Sequence, residues 1–524
     1  MPGNREAHLR HAAYYQTVLY KADQLYQQGG QGVEQALQDF DLNWANLQVG
    51  QSWTVAHSKT DSAATQLCSN YPIYGAHLLD LRYHPDERPA WIQSALDAAH
   101  LCENRSAEAK LWGNLGRARL VLGDAQRAIE CYEKAQSIFH ELGDYANEGA
   151  VLGSLGSVYQ HLGDSRRALE LGEQCLRIAR ETGDRHREGQ ALQNMGVAYT
   201  ALDDLDRAIE CHEQALTIAV QLGDHRSEGG TLINLGKIHH LRGQPGRAIE
   251  RYQQALAIFR RIRDRRSEGS ALGHLGDVYK STNAFYQAIE CDQQSLAIAR
   301  QAGDRWNEGR ILNSLGSAHQ SLSQNHQAIE YHEAALAIAR DIRDRRGEGN
   351  ALGSLGLAFA GLGETRRAID FYQQQLAIAQ ETADRRSQGV ALGNLGLAFK
   401  TLGDLPRAVE FYQEYLRLAE EIGDPYGQGT ALNNLGVACA ALGDLSRALG
   451  YYEKRIAIAR EISDRRGEGV ALCNMSLAQY KMGDRERAIA LAEAALEIFD
   501  QLDDPNAASL REQLTRWKTR ESNT

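Results

Sequence analysis

The chain repeats itself every 40 residues, ten times, without slippage. Ala128, Ala168, Ala208, Ala248, Ala288, Ala328, Ala368, Ala408, Ala448 and Ala488 fall in one lane. A second lane holds Asp144, Asp184, Asp224 and every fortieth residue to Asp504. A third runs from Gly116 to Gly436 and ends in Ser476. A strict period of this length marks stacked supersecondary units. Length alone, 524 residues, would suggest several globular domains. The repeat overrides that prior, because a solenoid grows by stacking and needs no single large core.

One repeat shows how the pattern becomes structure. Asp184 is a good N-cap for a helix running to about Leu202, whose Leu192, Met195, Gly196 and Tyr199 recur at the period of one buried face. Asp203-Asp204 makes the turn, which reads Gly-Asp in most other repeats, as at Gly163-Asp164 and Gly403-Asp404. A second helix runs from about Leu205 to Leu222, with Ala208, Ile209, Ala215, Leu216 and Ile218 facing inward. Each repeat is thus a helical hairpin that buries its apolar face only by stacking. Glycine costs about 1 kcal/mol in a helix interior. The Gly149–Gly469 and Gly116–Gly436 lanes therefore imply close approach of neighbouring backbones.

The spacing of Leu152, Leu155, Gly156, Tyr159, Ala168 and Cys175 resembles the tetratricopeptide repeat, with Leu152 in place of the usual Trp. The period is 40 rather than the family's 34, and the closing proline is absent. Gly-Asn-Leu-Gly at 393–396 and the Gly-Asp-Arg…Glu-Gly phrase at 183–189 look like the longer subclass found in LGN/Pins-type adaptors and many bacterial regulators. The resemblance covers residues 105–504. It implies an all-α, right-handed solenoid whose first helices line a concave, peptide-gripping groove.

The ends differ from the repeats. Residues 1–65 read as a helical N-terminal region, with helices separated by Gln28-Gly29-Gly30-Gln31. Tyr14, Tyr15, Leu19, Phe40, Leu42, Trp44, Leu47 and Trp53 supply its apolar bulk. Residues 66–104 read as a degenerate repeat, with Trp91, Ala95, Leu96 and Ala98 on its second helix and Pro85 and Pro89 around an irregular turn. His11–Tyr15 and Asp41–Leu47 resemble the junction that follows the winged helix in some bacterial STAND-type regulators. Residues 505–524 read as a capping helix and tail, with Ala507, Leu510, Leu514 and Trp517 in one stripe.

Catalytic patterns are missing from the sequence. The nearest approach to a phosphate loop, Gly230…Gly236-Lys237-Ile238, has the wrong spacing and lies inside a helix. There is no H-E-x-x-H and no G-x-S-x-G elbow. Of the adjacent pair His239-His240, one replaces a core tyrosine and the other faces the groove. The eight cysteines are scattered singly, as small buried residues of a reducing compartment. Repeating Asp and Glu lanes read as caps and surface charges, and Asp344-Arg345-Arg346 or Asp464-Arg465-Arg466 as solvated edges or, alternatively, as a basic rail along one edge for acidic partners. The net charge of −11 argues against general nucleic-acid binding. Without a leader-like h-region or a membrane-length apolar run, the expected location is the cytoplasm. No enzyme activity, metal or cofactor is expected.

The resemblance places the groove in five lanes beginning at Lys110, Gly113, Arg117, Leu120 and Val121. Early repeats present Lys110, Arg117, Lys237, His240, Lys280 and Arg310, with Asn313 as a polar neighbour. Later repeats present Leu357, Leu397, Val437 and Leu477, with Asn433 as a polar exception. The expected ligand is a protein or peptide with an acidic segment and an apolar segment. The expected role is a scaffold or adaptor, or alternatively the sensor of a STAND-type signalling ATPase. Near-identical repeats leave self-association open. The lane Asn114, Asn194, Asn234, Asn394, Asn434 and Asn474 holds a peptide backbone or bridges repeats. Gln375, Tyr415 and Arg455 stand where small residues are expected.

Overall fold

The computed structural model describes residues 4–28, 32–82 and 86–519. The Gly29-Gly30-Gln31 separator, Pro85 and the last residues of the C-terminal tail lie outside these. Two compact units divide the chain, residues 1–264 and 265–524. All regular elements among the described residues are helices.

The first unit opens with α1 (Asn4–Gln28), α2 (Gly32–His57), α3 (Ser62–Tyr74), α4 (Ala76–Arg82) and α5 (Arg88–Leu101). Four hairpins follow: α6 (Arg105–Val121) with α7 (Ala125–Glu141), α8 (Tyr145–His161) with α9 (Ser165–Thr182), α10 (Arg185–Ala201) with α11 (Leu205–Leu222), and α12 (His225–Leu241) with α13 (Pro245–Ile262). The second unit holds α14 (Arg265–Ser281) with α15 (Phe285–Ala302), α16 (Arg305–Ser321) with α17 (Asn325–Asp341), and α18 (Arg345–Gly361) with α19 (Thr365–Glu381). It continues with α20 (Arg385–Thr401) and α21 (Leu405–Glu421), α22 (Pro425–Ala441) and α23 (Leu445–Glu461), then α24 (Arg465–Met482) and α25 (Arg485–Gln501). The last helix, α26 (Asn506–Thr519), buries Leu510, Leu514 and Trp517 and stacks Trp517 on Tyr480.

The aspartate lane caps as its chemistry requires. Asp184 accepts from Arg187 N at 2.9 Å, and Asp304 from Asn307 N at 3.1 Å. Glycine ends many helices in the left-handed region, as at Gly163 (φ 82°) and Gly403 (φ 84°). Several repeats force other residues there, among them Asp203 (φ 63°) and Ala383 (φ 53°). In the region 66–104, Gly75 interrupts the helical run between α3 and α4, so this segment is not a simple hairpin.

The helix-interior glycines have a more local cause than backbone approach between repeats. Most of them face a side chain of the second helix in their own hairpin. A Cβ on Gly189 or Gly309 would lie 3.2 Å from Cγ2 of Ile218 or Ile338. A Cβ on Gly116 would meet the Tyr132 ring at 3.0 Å, and one on Gly276 would lie 2.7 Å from Asp292 Oδ1. The glycines are slots for side chains. Gln375, Tyr415 and Arg455 fit by the same rule: Gln375 lies over Gly353, Tyr415 over Gly389 and Gly393, and Arg455 over Gly429.

The glutamate lane corrects the expectation of surface charge. Glu108, Glu148, Glu188, Glu268, Glu308, Glu348 and Glu468 are buried. Glu188 accepts from Arg180 Nε at 2.9 Å and Arg185 Nη1 at 2.5 Å; Glu308 accepts from Arg300 Nε at 2.9 Å and Arg305 Nη1 at 2.6 Å. One arginine ends the preceding repeat and the other starts the glutamate's own helix. A buried carboxylate needs such partners. The first arginine of the 345–346 and 465–466 pairs therefore clamps a joint, pairing with Glu348 and Glu468 respectively, while the second stays exposed.

Candidate binding surface

A first helix spends one face on its hairpin partner and keeps the other for a neighbour or a ligand. Within the second unit, first helices of successive repeats touch: α16 with α18, α18 with α20, α20 with α22, and α22 with α24. This layer carries the apolar groove lanes. Leu357, Val390 and Leu397 are 44%, 51% and 49% exposed. Val437 and Leu477 are half-buried and pack on the core. The apolar strip is therefore bare at its α18–α20 end and partly sunk further on.

The polar groove residues divide by whether the chain already uses them. Lys110 and Lys237 are exposed in the first unit, and desolvation holds the Lys237 ammonium below its ordinary pKa. His240 is half-buried beside His239, which takes the tyrosine position of the neighbouring repeats and lies 3.0 Å from Gln244 Oε1. Arg117 is spent: Nε lies 2.8 Å from Asp80 Oδ2, and Nη2 donates to Asn114 Oδ1 at 2.7 Å. In the second unit Arg310 is exposed. Lys280 lies 2.9 Å from Asp277 Oδ1 and donates to Ser314 Oγ. Ser314 Oγ donates in turn to Asp292 Oδ2 at 2.6 Å. Asp292 is buried where other repeats hold tyrosine, and desolvation pushes its carboxyl up to about 6.

Two further groove residues are committed within the structure. Asn313 Oδ1 is 2.7 Å from Nδ1 of the buried His332. Asn433 Oδ1 accepts from Asn474 Nδ2 at 3.0 Å, so Asn474 of the asparagine lane bridges adjacent repeats. His212 is buried with neither ring nitrogen hydrogen-bonded among the described residues, and desolvation lowers its pKa to about 4.

Sequence reasoning missed the buried glutamates and the exposed Trp306, which lines a cleft with Arg310 and Asn313. A signal for the glutamates exists in the chain. Arg180/Glu188, Arg300/Glu308, Arg340/Glu348 and Arg460/Glu468 recur eight apart, and Gln380/Gln388 loses both charges together. Among the described residues, no group of three or more His, Cys, Asp or Glu side chains could hold a metal ion. No described helix is long and apolar enough to cross a membrane.

Comparison with known proteins agrees with this architecture. The family model described as tetratricopeptide repeat matches residues 107–181, 187–261, 267–341, 307–381, 347–421 and 427–501. No curated protein matches the chain. Among solved structures, a Pyrococcus horikoshii signal transduction ATPase with numerous domains, carrying a tetratricopeptide repeat sensor, superposes with a TM-score of 0.52 at 18% identity. That match covers 70% of this chain and 55% of the other. Yeast Tom70 gives 0.45 at 12% identity, covering 88% of this chain and 96% of Tom70. Aspartyl phosphate phosphatase F from Bacillus subtilis gives 0.45 at 14% identity, covering 67% and 93%. The family match spans well over half of the sequence, and the helical hairpins it describes are the ones the structure contains: the chain belongs to the tetratricopeptide repeat family.

Proposed function

We propose that this chain is a non-catalytic scaffold that grips a peptide or protein segment on its first-helix layer. The observation that carries the reading is the bare apolar strip of Leu357, Val390 and Leu397 on adjoining helices α18 and α20. Apolar side chains left on one surface are a usual mark of a partner site. An amphipathic helix or an extended peptide fits such a strip through its apolar face. Val437, Leu477 and Asn433 extend the contact. Arg310 in the same unit, with Lys110, Lys237 and His240 in the first, is assigned to acidic stretches of the partner. Arg117, Lys280 and Asn313 are assigned a supporting role, because their polar groups already have partners in the chain.

A second reading makes the chain the sensor of a separate signalling ATPase. It draws on the fold shared with the Pyrococcus horikoshii sensor and on the N-terminal residues His11–Tyr15 and Asp41–Leu47. The cytoplasm is the compartment this reading requires.

The test is affinity capture by the intact chain beside a variant carrying Leu357→Glu, Leu397→Glu and Val437→Glu, with circular dichroism confirming the fold of both. A partner held by the first and released by the second supports the scaffold. Equal retention by both contradicts the apolar strip as the site. An ATPase among the partners lost in the variant favours the sensor reading.

A further inference from the structure

A cleft of about 280 Å³ opens in the second unit between α16, α17 and α18. It owes its existence to missing side chains. Its walls include Gly309, Ala335 and Gly347, and Trp306 stands 55% exposed at its rim. Positions 120 residues further on, three periods away, carry the same frame: Gly429 for Gly309, Asn433 for Asn313, Asp464 for Asp344, Gly467 for Gly347 and the exposed Tyr426 for Trp306. The difference that decides the space is Arg455 in place of Ala335, while Thr430 and Val470 replace Arg310 and Asn350 on the wall. The Arg455 side chain fills the later cleft, is itself buried, and pairs its guanidinium with the capping Asp464. The protein thus displays, within one chain, both the filled and the open form of one site.

The open form keeps the acceptor that Arg455 satisfies in the filled form. Asp344 Oδ1 takes the capping bond from Gly347 N at 2.9 Å. Its Oδ2 has no hydrogen-bond or ion-pair partner among the described residues. Three other members of the aspartate lane occupy this second oxygen, Asp144 with Asn147 Nδ2 at 2.7 Å, Asp304 with Asn307 Nδ2 at 2.6 Å and Asp384 with Ser387 Oγ at 2.9 Å, while Asp424, capping Gly427, shares the pattern of Asp344. Gly347 cannot supply such a donor.

The two arginines on the cleft wall have other directions to serve. Arg310 reaches towards the preceding repeat, its Nη2 lying 3.4 Å from where a Cβ on Gly273 would stand. Arg346 acts on Asp384 of the following repeat, as Arg466 pairs with Asp504 at 2.8 Å. Neither makes an ion pair with Asp344.

We propose that this cleft binds an arginine side chain of a partner protein. The guanidinium pairs with Asp344 Oδ2, its stem lies on Gly309, Ala335 and Ile338, and the Trp306 ring covers it. Arginine is favoured over lysine because its planar fork suits a carboxylate and stacks on an aromatic face. This inference is separate from the apolar strip and stands or falls without it.

The test uses N-acetyl-arginine amide as the probe and saturation-transfer NMR on the full chain. The arginine probe should bind, and its citrulline counterpart, equal in shape but uncharged, should bind about tenfold more weakly. Ala335→Arg should fill the cleft as Arg455 fills its own and abolish binding. Arg455→Ala should open a second cleft and raise the bound probe about twofold. Asp344→Asn, which retains an N-capping side chain, should also abolish binding and guards against misfolding of Ala335→Arg. Retained binding in Leu357→Glu/Leu397→Glu places the probe in the cleft and not on the strip. Absence of probe binding to the unaltered chain, equal binding of the citrulline probe, or binding that survives Asp344→Asn overturns the proposal.

Discussion

Two parts of the first-helix layer carry charged or apolar groove residues, and they use them differently. In the first unit Arg117 stands on a groove lane, yet its guanidinium is consumed by Asp80 and Asn114. In the second unit Leu357, Val390 and Leu397 stand on equivalent lanes with nothing over them. A residue's place in the repeat tells which way it points. Only the neighbours tell whether it is free.

The sharpest way to break this contrast is by binding. Leu357→Glu with Leu397→Glu should weaken a captured partner by at least about a hundredfold, since two apolar contacts are replaced by unpaired charges. Arg117→Ala should leave affinity within about twofold while lowering the melting temperature of the first unit. Titration of immobilised partner against each variant checks both. A large affinity loss in Arg117→Ala would erase the distinction between the two regions.

Acid should separate the units next. His212 in the first and His332 in the second are buried, and desolvation holds both at about 4, below the usual histidine value near 6.5. The unfolded chain therefore takes up protons that the folded chain refuses. Stability is intact above about pH 6.5 and falls as pH drops towards 4, by about 3 kcal/mol for each histidine at the limit. Asp292 in the second unit has the opposite sign. Its folded pKa, about 6, lies above the unfolded value, so its contribution falls as pH rises from about 4 to 6. The first unit should lose more protection than the second between pH 7 and pH 5, as read by amide hydrogen exchange. His212→Tyr should remove most of that excess.

Joints between repeats give a smaller contrast. Glu348 is buried between Arg340 and Arg345, whereas Gln388 donates to the Ala379 carbonyl at 2.9 Å, accepts from Arg385 Nη1 at 3.3 Å, and has Gln380 where the other arginine would stand. Arg340→Ala should destabilise by about 1–2 kcal/mol, reduced from the cost of a fully buried pair because the arginine is half-exposed. Gln380→Ala should cost under about 0.5 kcal/mol. Urea titration with exchange read at each joint distinguishes them.

Turns give the smallest effect. Asp203 and Ala383 sit at positive φ where other repeats use glycine, so Asp203→Gly and Ala383→Gly should be neutral to stabilising by about 1 kcal/mol, measured by thermal melting. Destabilisation would mean that these side chains do more than tolerate the turn.

Much of the fold was legible because its signals are local. Asp184 caps three residues on, the apolar faces recur within one helix, and the 40-residue period fixes where each hairpin begins. The parts not legible depend on partners distant in sequence or on another helix. Glu188 looks like an ordinary first-turn acid until Arg180, on a different helix, is seen beside it. Gly116 looks like a backbone contact until the Tyr132 ring fills its slot. Arg117 looks free until Asp80, in the irregular α4, reaches it. The bare Leu357 and Leu397 were readable as lane residues, but their exposure depends on how deeply each first helix sinks between its neighbours, which sequence spacing does not encode.

The most direct test of the scaffold reading is hydrogen exchange on the intact chain with and without a captured partner. The reading expects new protection centred on α18 and α20, around Leu357, Val390 and Leu397, with α8 and α10 changed little. Protection confined to the second helices, or to the first unit alone, would contradict it.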